Sequence, residues 1–488
     1  MDRLNQAICA RLPASVRLPT YRRGDLTCGI VHLGVGAFHR AHQAVYTELA
    51  LEQAWGPWGI CGVSLRRPDV RDRLAPQDGL YCVAQRDAHE HLRVVGCLKP
   101  LLVAPEDPAA VVERMAAPET HIVSLTVTEK GYCHDPKSGR LNRGHPDIRH
   151  DLTTPERPRS AIGMLVAGLV RRRDRKLAAP TVMSCDNLPA NGHTLRGLVT
   201  AFAAWRDEAL ARWIEREVAF PCTMVDRIVP ATTPADITRI DAALGVHDAA
   251  PVVCEPFRQW VIEDRFAGPR PAWEQAGAEL VADAAPYEAM KLRLLNGSHS
   301  AVAYLGTLAG FEYVFEVMAA PEFVTFVRRM MAEVAPTLQV PTDLDAYQAT
   351  LIERFANPAL LHRTRQIAMD GSQKLPQRLL EPIRDRLRAG GAIDHLCVAV
   401  AGWIRYASGR DEHDQPIDVA DPLAPRFAAI AAAAGQDPVA LAQGFFAISE
   451  VFGTDLPVDQ RFTVPVTQRL ASLLARGSRV TIAQSIAG

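Results

Sequence analysis

Short apolar runs alternate with amphipathic segments over the first half of the chain. Apolar stretches at residues 30–33, 58–65, 122–128 and 181–185 predict buried strands, and the pattern at residues 38–53 predicts a helix. Strands that alternate with helices are typical of βαβ units. The first half therefore predicts an α/β domain built on a mostly parallel sheet.

The second half of the chain differs, because its apolar residues recur at helical spacing. Residues 287–308, 321–334, 344–355, 376–389 and 393–408 show this pattern and predict helices. A chain of 488 residues is also too long for one ordinary core. We expect two domains, residues 1–285 and residues 286–488, of which the second is mostly α-helical.

The first predicted strand runs into a turn that contains two glycines. Gly34 suits a tight turn, and Gly36 lets a bound group approach the backbone where the helix begins at Ala37 and Phe38. His39 replaces the third glycine of the usual pattern, so we expect looser packing of this helix on its strand. A strand, a glycine turn and a helix predict a dinucleotide-binding domain of the Rossmann type, and a plain tight turn is the alternative.

The sequence leaves the choice of nicotinamide cofactor open. The second predicted strand ends without the acidic residue that usually binds the ribose, and Asp69 comes slightly later. Arg66 and Arg67 lie beside it and suit the additional phosphate of NADP, so we expect NAD with Asp69 as a contact and keep NADP as an alternative. Glu129 follows the third predicted strand, at the edge where open α/β sheets bind ligands, and is expected near the nicotinamide unless it is a solvated surface residue.

A lysine-containing segment begins the helical half of the chain. On an ideal helix Lys291, Asn296 and His299 fall within an arc of roughly 140°, although about 12 Å of axial rise separates the first from the last. Either the lysine reaches across or the helix distorts near residues 296–297. A desolvated lysine amine can take the hydroxyl proton in a dehydrogenation, while Asn296 donates to the reacting oxygen and His299 orients a neighbouring hydroxyl. A surface lysine beside a capping Asn-Gly pair is the alternative.

The chain resembles the mannitol dehydrogenase family along essentially its whole length. The resemblance rests on residues 34–42, 124–132, 184–187, 221–227, 254–264, 291–299 and 370–376. The sequence motifs are most similar to those of the fructuronate reductase (D-mannonate oxidoreductase) branch, as in SLTVTEKGYC, FPCTMVDRIVPA and QIAMDGSQKLPQRLL. This resemblance implies a Rossmann-type domain followed by a mostly helical domain, an active site between them, and no metal.

The resemblance also implies roles for particular side chains. The catalytic lysine and the two asparagines that hold the reacting oxygen correspond to Lys291, Asn187 and Asn296. The substrate-binding positions of the family correspond to His299, Asp226 and Lys374. Glu129 matches an acidic residue beside the nicotinamide.

The expected reaction interconverts a secondary alcohol and a ketone on a linear sugar acid, D-mannonate and D-fructuronate. A carboxylate-bearing substrate calls for a cation, and Lys374 is the first candidate, followed by Arg363, Arg365, Arg378 and Arg293. If Lys374 binds a hydroxyl instead, a mannitol 2-dehydrogenase or another polyol dehydrogenase, such as one for D-arabinitol, is the alternative. A non-catalytic nucleotide- or sugar-binding sensor is the alternative of another class, but a sensor has no need of a base.

Charge and cysteine content narrow the range of partners. A formal net charge of −1 argues against nucleic-acid binding. The ten cysteines are scattered, with none at Cys-x-x-Cys spacing, so we expect buried free thiols and no metal site. Residues 1–19 lack the apolar core of a signal peptide, and no apolar run is long enough to span a bilayer. We therefore expect a cytoplasmic monomer that acts on a small molecule.

Overall fold

The structure is a computed structural model that describes residues 1–135 and 138–487. Its internal contacts divide the chain into two units, Met1–Ala285 and Pro286–Gly488. The strands of the described residues lie in the first unit and are β1 Ile30–Leu33, β2 Ile60–Ser64, β3 Tyr81–Arg86, β4 Glu90–Val95, β5 Leu98–Val103, β6 Ile122–Leu125, β7 Thr181–Ser184, β8 Thr223–Asp226, β9 Val252–Cys254, β10 Gln259–Glu263 and β11 Glu279–Val281.

Five strands form a parallel sheet in the order β5-β2-β1-β6-β7. Every neighbouring pair is parallel, and Ile30 in the central strand lies opposite Ile60 and Ile122. The predicted parallel sheet is thus confirmed, since the four apolar runs of the sequence correspond to β1, with the same bounds, and to β2, β6 and β7, which are shorter than predicted. The structure also contains two three-stranded sheets that the sequence pattern did not predict, β11-β10-β8 and β4-β3-β9.

Helices cover both faces of the parallel sheet. They are α1 Ala37–Ala41, α2 Gln43–Gln53, α3 Asp69–Leu74, α4 Pro108–Met115, α5 Pro146–Thr153, α6 Ala161–Asp174, α7 Asn191–Ala204, α8 Glu208–Glu217 and α9 Pro234–Leu244. Val31 and Leu33 pack in a core with α4, α6 and α7, whereas Ile30 packs in a core with α2 and strands of the smaller sheets. Burial on both faces explains why these strands have continuous apolar sequences.

The helix predicted at residues 38–53 is broken at His42, which has φ −117° and ψ −90°. Tertiary hydrogen bonds stabilise the break. The His42 ring donates from Nε2 to the carbonyl of Gln259 at 2.9 Å, and the buried Arg227 guanidinium donates to the carbonyl of Ala41 at 2.5 Å. The helix therefore ends and restarts where Arg227 binds one of its carbonyls and its own His42 ring binds the backbone of another strand.

The regular structure of the second unit is helical in the described residues. Its α-helices are α10 Ala285–Met290, α11 Gly297–Leu308, α12 Val314–Met318, α13 Pro321–Val334, α14 Leu344–Phe355, α15 Thr364–Ala368, α16 Gly371–Leu375, α17 Glu381–Arg388, α18 Asp394–Ala407, α19 Ala424–Ala434, α20 Pro438–Phe446, α21 Ser449–Phe452 and α22 Gln460–Ala487, the last interrupted at Gly477. The first two are joined by a π-helical segment at Lys291–Asn296, and a second π-helical segment spans Pro376–Leu380. Helix α11 is buried along its whole length, so it forms the centre of the unit.

Short 3-10 turns complete the described secondary structure. They span Cys9–Arg11, Arg23–Asp25, Ala75–Gln77, Glu129–Tyr132, Trp273–Ala276, Ala335–Thr337 and Leu456–Val458. All ten cysteines are buried and free, as the sequence predicts. None of the described helices combines the length and the apolar character needed to cross a membrane.

Candidate active site

The turn after β1 has the geometry that its two glycines predict. Gly34 has φ +101°, a conformation that favours glycine, and a Cβ there would collide with the carbonyl oxygen of Thr126. Gly36 is exposed, and no described atom lies within 4 Å of the position where its Cβ would stand. The turn therefore packs tightly on the neighbouring strand while Gly36 leaves open space above its backbone.

A cavity of about 450 Å³ opens beside this turn, at the carboxyl ends of β1, β2 and β6. Its lining includes residues 34–36 of the turn, residues 64–67 after β2 and residues 126–128 after β6. Ligands of open α/β sheets bind at this edge. Asp69 begins α3 and Glu129 begins a 3-10 turn. Both side chains are exposed, and neither is among the described residues that line this cavity. Phe38 is half-buried and stacks on the ring of His42, with 5.0 Å between ring centroids.

His39, which takes the place of the third glycine, packs directly against the central strand. Its fully buried ring stacks on that of His32 with 3.4 Å between centroids and an interplanar angle of 14°. His32 is hydrogen-bonded through Nδ1 to the Ser124 hydroxyl at 2.8 Å and through Nε2 to the Thr126 hydroxyl at 2.8 Å. Burial lowers the pKa of His32 to about 3 and that of His39 well below its usual value, so both rings are neutral. A neutral ring stack thus occupies the place of the close helix–strand contact, and the looser packing of this helix stays a prediction.

Asp186, directly after β7, fixes the loop that follows β6. Its carboxylate accepts hydrogen bonds from the backbone N–H groups of Val127 at 2.9 Å and Thr128 at 3.0 Å, and from the Tyr132 hydroxyl at 2.8 Å. These bonds hold Thr128 at φ +61°, which is unfavourable for a residue with a Cβ. Burial raises the pKa of Asp186 above its ordinary value. Sequence reasoning missed this role, although a carboxylate at the end of a buried strand was a signal for it.

Two predicted site residues lie at or just after strand ends in the first unit. Asn187 is exposed and comes directly after Asp186, while Asp226 is buried at the end of β8. Asn191 joins the two strands, because its amide donates to the carbonyls of Ser184 at 3.1 Å and Thr223 at 2.9 Å. This buried amide therefore links β7 to β8, the strands that position Asn187 and Asp226.

The lysine segment is distorted, as one of the two alternatives from the sequence predicts. Lys291 and Asn296 are the first and last residues of the first π-helical segment. In an α-helix, residues five apart are separated by about 140° around the axis, whereas the i→i+5 hydrogen bonds of a π-helix bring such residues towards one face. Lys291 is buried, with 8% of its surface exposed, and Asn296 is half-buried. The distortion thus gathers the predicted base and the predicted oxygen-holding amide.

His299 lies one turn further along, in α11, and is a neutral ring. It stacks on Phe355 with 4.4 Å between centroids and meets His362 edge-on at 5.1 Å. Burial holds the pKa of His299 well below its usual value, and the nearby His362, Arg354 and Arg378 lower it further. The imidazole can therefore donate or accept a hydrogen bond to a substrate hydroxyl without carrying charge.

The cations named from the sequence have different environments. Lys374 donates to the carbonyls of Ile367 at 3.3 Å and Met369 at 2.5 Å, and burial lowers its pKa. Arg378, on the second π-helical segment, donates to the carbonyl of Asn296 at 3.4 Å. The remaining three do not extend the site: Arg293 is paired with Asp385, Arg363 with Glu312, and Arg365 is exposed.

Two groups of potential metal ligands occur among the described residues. Cys133, His145 and Asp147 have ligand atoms within 4.8 Å of one another, and so do His193, Cys222 and Glu263. The first group has a thiol whose pKa burial raises to about 11, and His145 already accepts a hydrogen bond from the backbone of Asp147. In the second group the carboxylate pairs with Arg265 at 2.6 Å. A metal-free mechanism stays a prediction.

Comparison with known proteins identifies the family. Residues 28–275 match the model of the mannitol dehydrogenase Rossmann domain, and residues 283–474 match that of the mannitol dehydrogenase C-terminal domain. The chain is 50% identical over 477 residues to the D-mannonate oxidoreductase of Escherichia coli (strain K12), covering 96% of this chain and 98% of that protein. It is 43% identical over 492 residues to a mannitol 2-dehydrogenase of Aspergillus fumigatus (strain CBS 144.89 / FGSC A1163 / CEA10), covering 98% and 97%. Pseudomonas fluorescens mannitol 2-dehydrogenase, solved in a ternary complex with NAD and D-mannitol, has a similar structure, with a TM-score of 0.86, 39% identity and 99% of each chain covered. The chain therefore belongs to the mannitol dehydrogenase family of oxidoreductases.

Proposed function

We propose that the protein is an NAD-dependent dehydrogenase that interconverts D-mannonate and D-fructuronate. The observation that carries this proposal is the buried Lys291 in a π-helical turn with Asn296, followed by the neutral His299. The 50% identity to a D-mannonate oxidoreductase supports the choice of a sugar acid. Membership of an oxidoreductase family and a base of this kind argue against a non-catalytic sensor.

The turn after β1 fits a dinucleotide. Gly34 adopts a conformation that favours glycine, and Gly36 leaves the space that a pyrophosphate needs near the backbone. We assign the binding of NAD to Gly34, Gly36, Ala37 and Phe38, with Asp69 and Glu129 as proposed contacts at either end of the cofactor. Bound NAD supplies a hydride acceptor for the alcohol and, once reduced, a hydride donor for the ketone.

Lys291 is the proposed proton-transfer group. Because burial disfavours a charged ammonium, the neutral amine is suited to take the hydroxyl proton of the alcohol. Nζ of Lys291 would take the hydroxyl proton of the alcohol and become an ammonium, and in ketone reduction it would return that proton to the reacting oxygen; bound NAD would supply the hydride chemistry. The amides of Asn187 and Asn296 are proposed to donate to the oxygen on which negative charge develops. Proposed contacts to the other hydroxyls come from His299, Asp226 and Lys374.

A mannitol 2-dehydrogenase is the second candidate. The structural similarity to the mannitol-bound enzyme of Pseudomonas fluorescens and the 43% identity to a fungal mannitol 2-dehydrogenase favour it. Kinetics with D-fructuronate, D-fructose, D-mannonate, D-mannitol and D-arabinitol, each with NAD(H) and NADP(H), separate these functions. Higher kcat/KM for D-fructose than for D-fructuronate would replace the sugar acid by a polyol.

The proposed base is tested by Lys291→Met and Lys291→Ala. General acid–base catalysis contributes about 100- to 10,000-fold, so both variants should lose kcat by at least about 100-fold. NADH binding and the melting temperature should stay close to those of the wild type, particularly in Lys291→Met, which keeps an apolar side chain of similar length. Near-normal turnover in either variant contradicts the assignment.

A further inference from the structure

The cations near the lysine segment are not equally neutralised. Arg293 pairs with Asp385 at 2.6 Å, and Arg363 pairs with Glu312. Arg378 differs from both, since no carboxylate within the described ranges, residues 1–135 and 138–487, pairs with it. A guanidinium that is half-buried without a counter-charge is costly unless a ligand compensates it.

Arg378 contacts the segment that carries the proposed catalytic side chains. Its Nη1 donates to the Asn296 carbonyl at 3.4 Å and to the Ser300 hydroxyl at 3.1 Å. Gly297 permits this approach, because a Cβ there would lie only 2.9 Å from the Arg378 carbonyl oxygen. The Arg378 charge also helps to lower the pKa of His299, so the guanidinium acts electrostatically on a proposed substrate-binding ring.

One edge of the Arg378 guanidinium is available. Both of its hydrogen bonds leave from Nη1, and neither Nε nor Nη2 has a partner among the described residues. Nor is either atom among the buried polar atoms that lack a partner, so both are accessible. Paired N–H groups on one edge of a guanidinium match the two oxygens of a carboxylate.

The local electrostatics favour an anionic ligand. Burial lowers the pKa of Arg378, and the opposing influence comes from the weakly acidic Tyr304 phenol. The pKa of Lys374 is lowered by burial and then by Arg378, although Asp370 and Asp421 act in the opposite direction. An anion bound at Arg378 would therefore relieve an unfavourable accumulation of positive charge.

We infer that Arg378 binds the substrate carboxylate through Nε and Nη2 and so selects a sugar acid over a neutral polyol. This inference rests on the proposed function, because it assigns a residue to the acidic end of the proposed substrate. Lys374 is less suited to that role, since its ammonium already donates to two backbone carbonyls. It keeps its proposed role as a hydroxyl contact.

The test compares reduction of D-fructuronate and D-fructose by NADH, because the two ketoses differ by a carboxylate in place of a terminal hydroxymethyl group. The proteins are wild type, Arg378→Gln, Arg378→Lys and the control Arg363→Gln, which removes an exposed arginine already paired with Glu312. Loss of a charge-assisted bond predicts that Arg378→Gln lowers the fructuronate-to-fructose ratio of kcat/KM by roughly 10- to 100-fold. Most of this loss should appear in KM. Arg378→Lys should give an intermediate ratio, and Arg363→Gln should keep the wild-type ratio.

The outcomes separate the two proposals. A wild-type preference for D-fructose rejects the proposed function. A wild-type preference for D-fructuronate with equal losses on both ketoses in Arg378→Gln rejects the carboxylate assignment and makes Arg378 a positioning residue for Asn296. If Arg378→Gln does not fold, Arg378→Lys decides, because an unchanged ratio contradicts the need for a bidentate guanidinium.

Discussion

Replacing Asp186 by asparagine tests how the loop after β6 is held in place. The Asp186 carboxylate accepts from three donors, with Thr128 N–H on Oδ1 and both Val127 N–H and the Tyr132 hydroxyl on Oδ2. An asparagine has one acceptor oxygen, so its NH₂ group must face at least one backbone N–H. Each charge-assisted hydrogen bond contributes about 1.5–3 kcal/mol. Part of this loss is offset, because the variant no longer carries a desolvated carboxylate, whose raised pKa reflects the cost of its charge. We expect the ordered loop to lose a net free energy of about 2 kcal/mol.

The loss should appear in cofactor binding, because residues 126–128 line the cavity beside the glycine turn. Without these hydrogen bonds Thr128 can leave its positive-φ conformation, and the loop must be ordered again when NADH binds. If ordering of the loop and NADH binding are fully coupled, a cost of about 2 kcal/mol weakens NADH binding roughly 30-fold. Fluorescence titration of NADH measures this, with the melting temperature as a check on folding. Asp343→Asn is the matched control, because Asp343 also accepts from two backbone N–H groups, at 3.0 Å, but caps α14, where asparagine serves equally well. An Asp186→Asn protein with wild-type NADH affinity and melting temperature would refute the reasoning.

Two further predictions concern packing and pH. Gly297→Ala should destabilise the protein by about 1–3 kcal/mol, because the new Cβ would press on the Arg378 backbone. The control Gly197→Ala, on an open face of α7, should not destabilise it. Equal melting temperatures for the two variants would contradict this prediction. His39 has a pKa well below its usual value when folded, so the unfolded chain takes up its proton first, and stability is lost as pH falls below about 6.5. Urea unfolding at pH 7.5 and 5.5 should show a loss about 1 kcal/mol smaller in His39→Leu than in wild type, and an identical pH dependence counts against a neutral His39.

The parallel sheet could be predicted because its strands are buried on both faces, and this burial leaves continuous apolar runs in the sequence. The break at His42 could not, because it depends on Arg227 and Gln259, which are distant in sequence. The smaller sheets were missed for a related reason, since short strands such as β9 and β11 have three residues each and give no clear periodicity.

Candidate site residues could be named from the sequence where chemistry and local sequence coincide, as in the glycine turn and the choice of Lys291 and Asn296. An amphipathic pattern does not distinguish a π-helical turn from an α-helical one, so two alternatives stayed open for this segment. The roles of arginines depend on partners that only the fold supplies. Arg293 and Arg378 look equivalent in sequence, yet Arg293 is paired with Asp385, whereas no carboxylate of the described residues pairs with Arg378. Asp186 was overlooked because its donors come from a different strand end.

The π-helical segment that begins at Lys291 has a consequence for any redesign of this helix. A π turn contains one residue more than the α turn it replaces, so deleting one residue between Lys291 and Asn296 would produce a regular helix. In that helix the lysine and the asparagine would stand four residues apart, about 40° around the axis, so the two side chains would still share a face. Regularising the segment at its full length would instead separate the two side chains by about 140°, so a regular helix keeps them on one face only if one residue is removed.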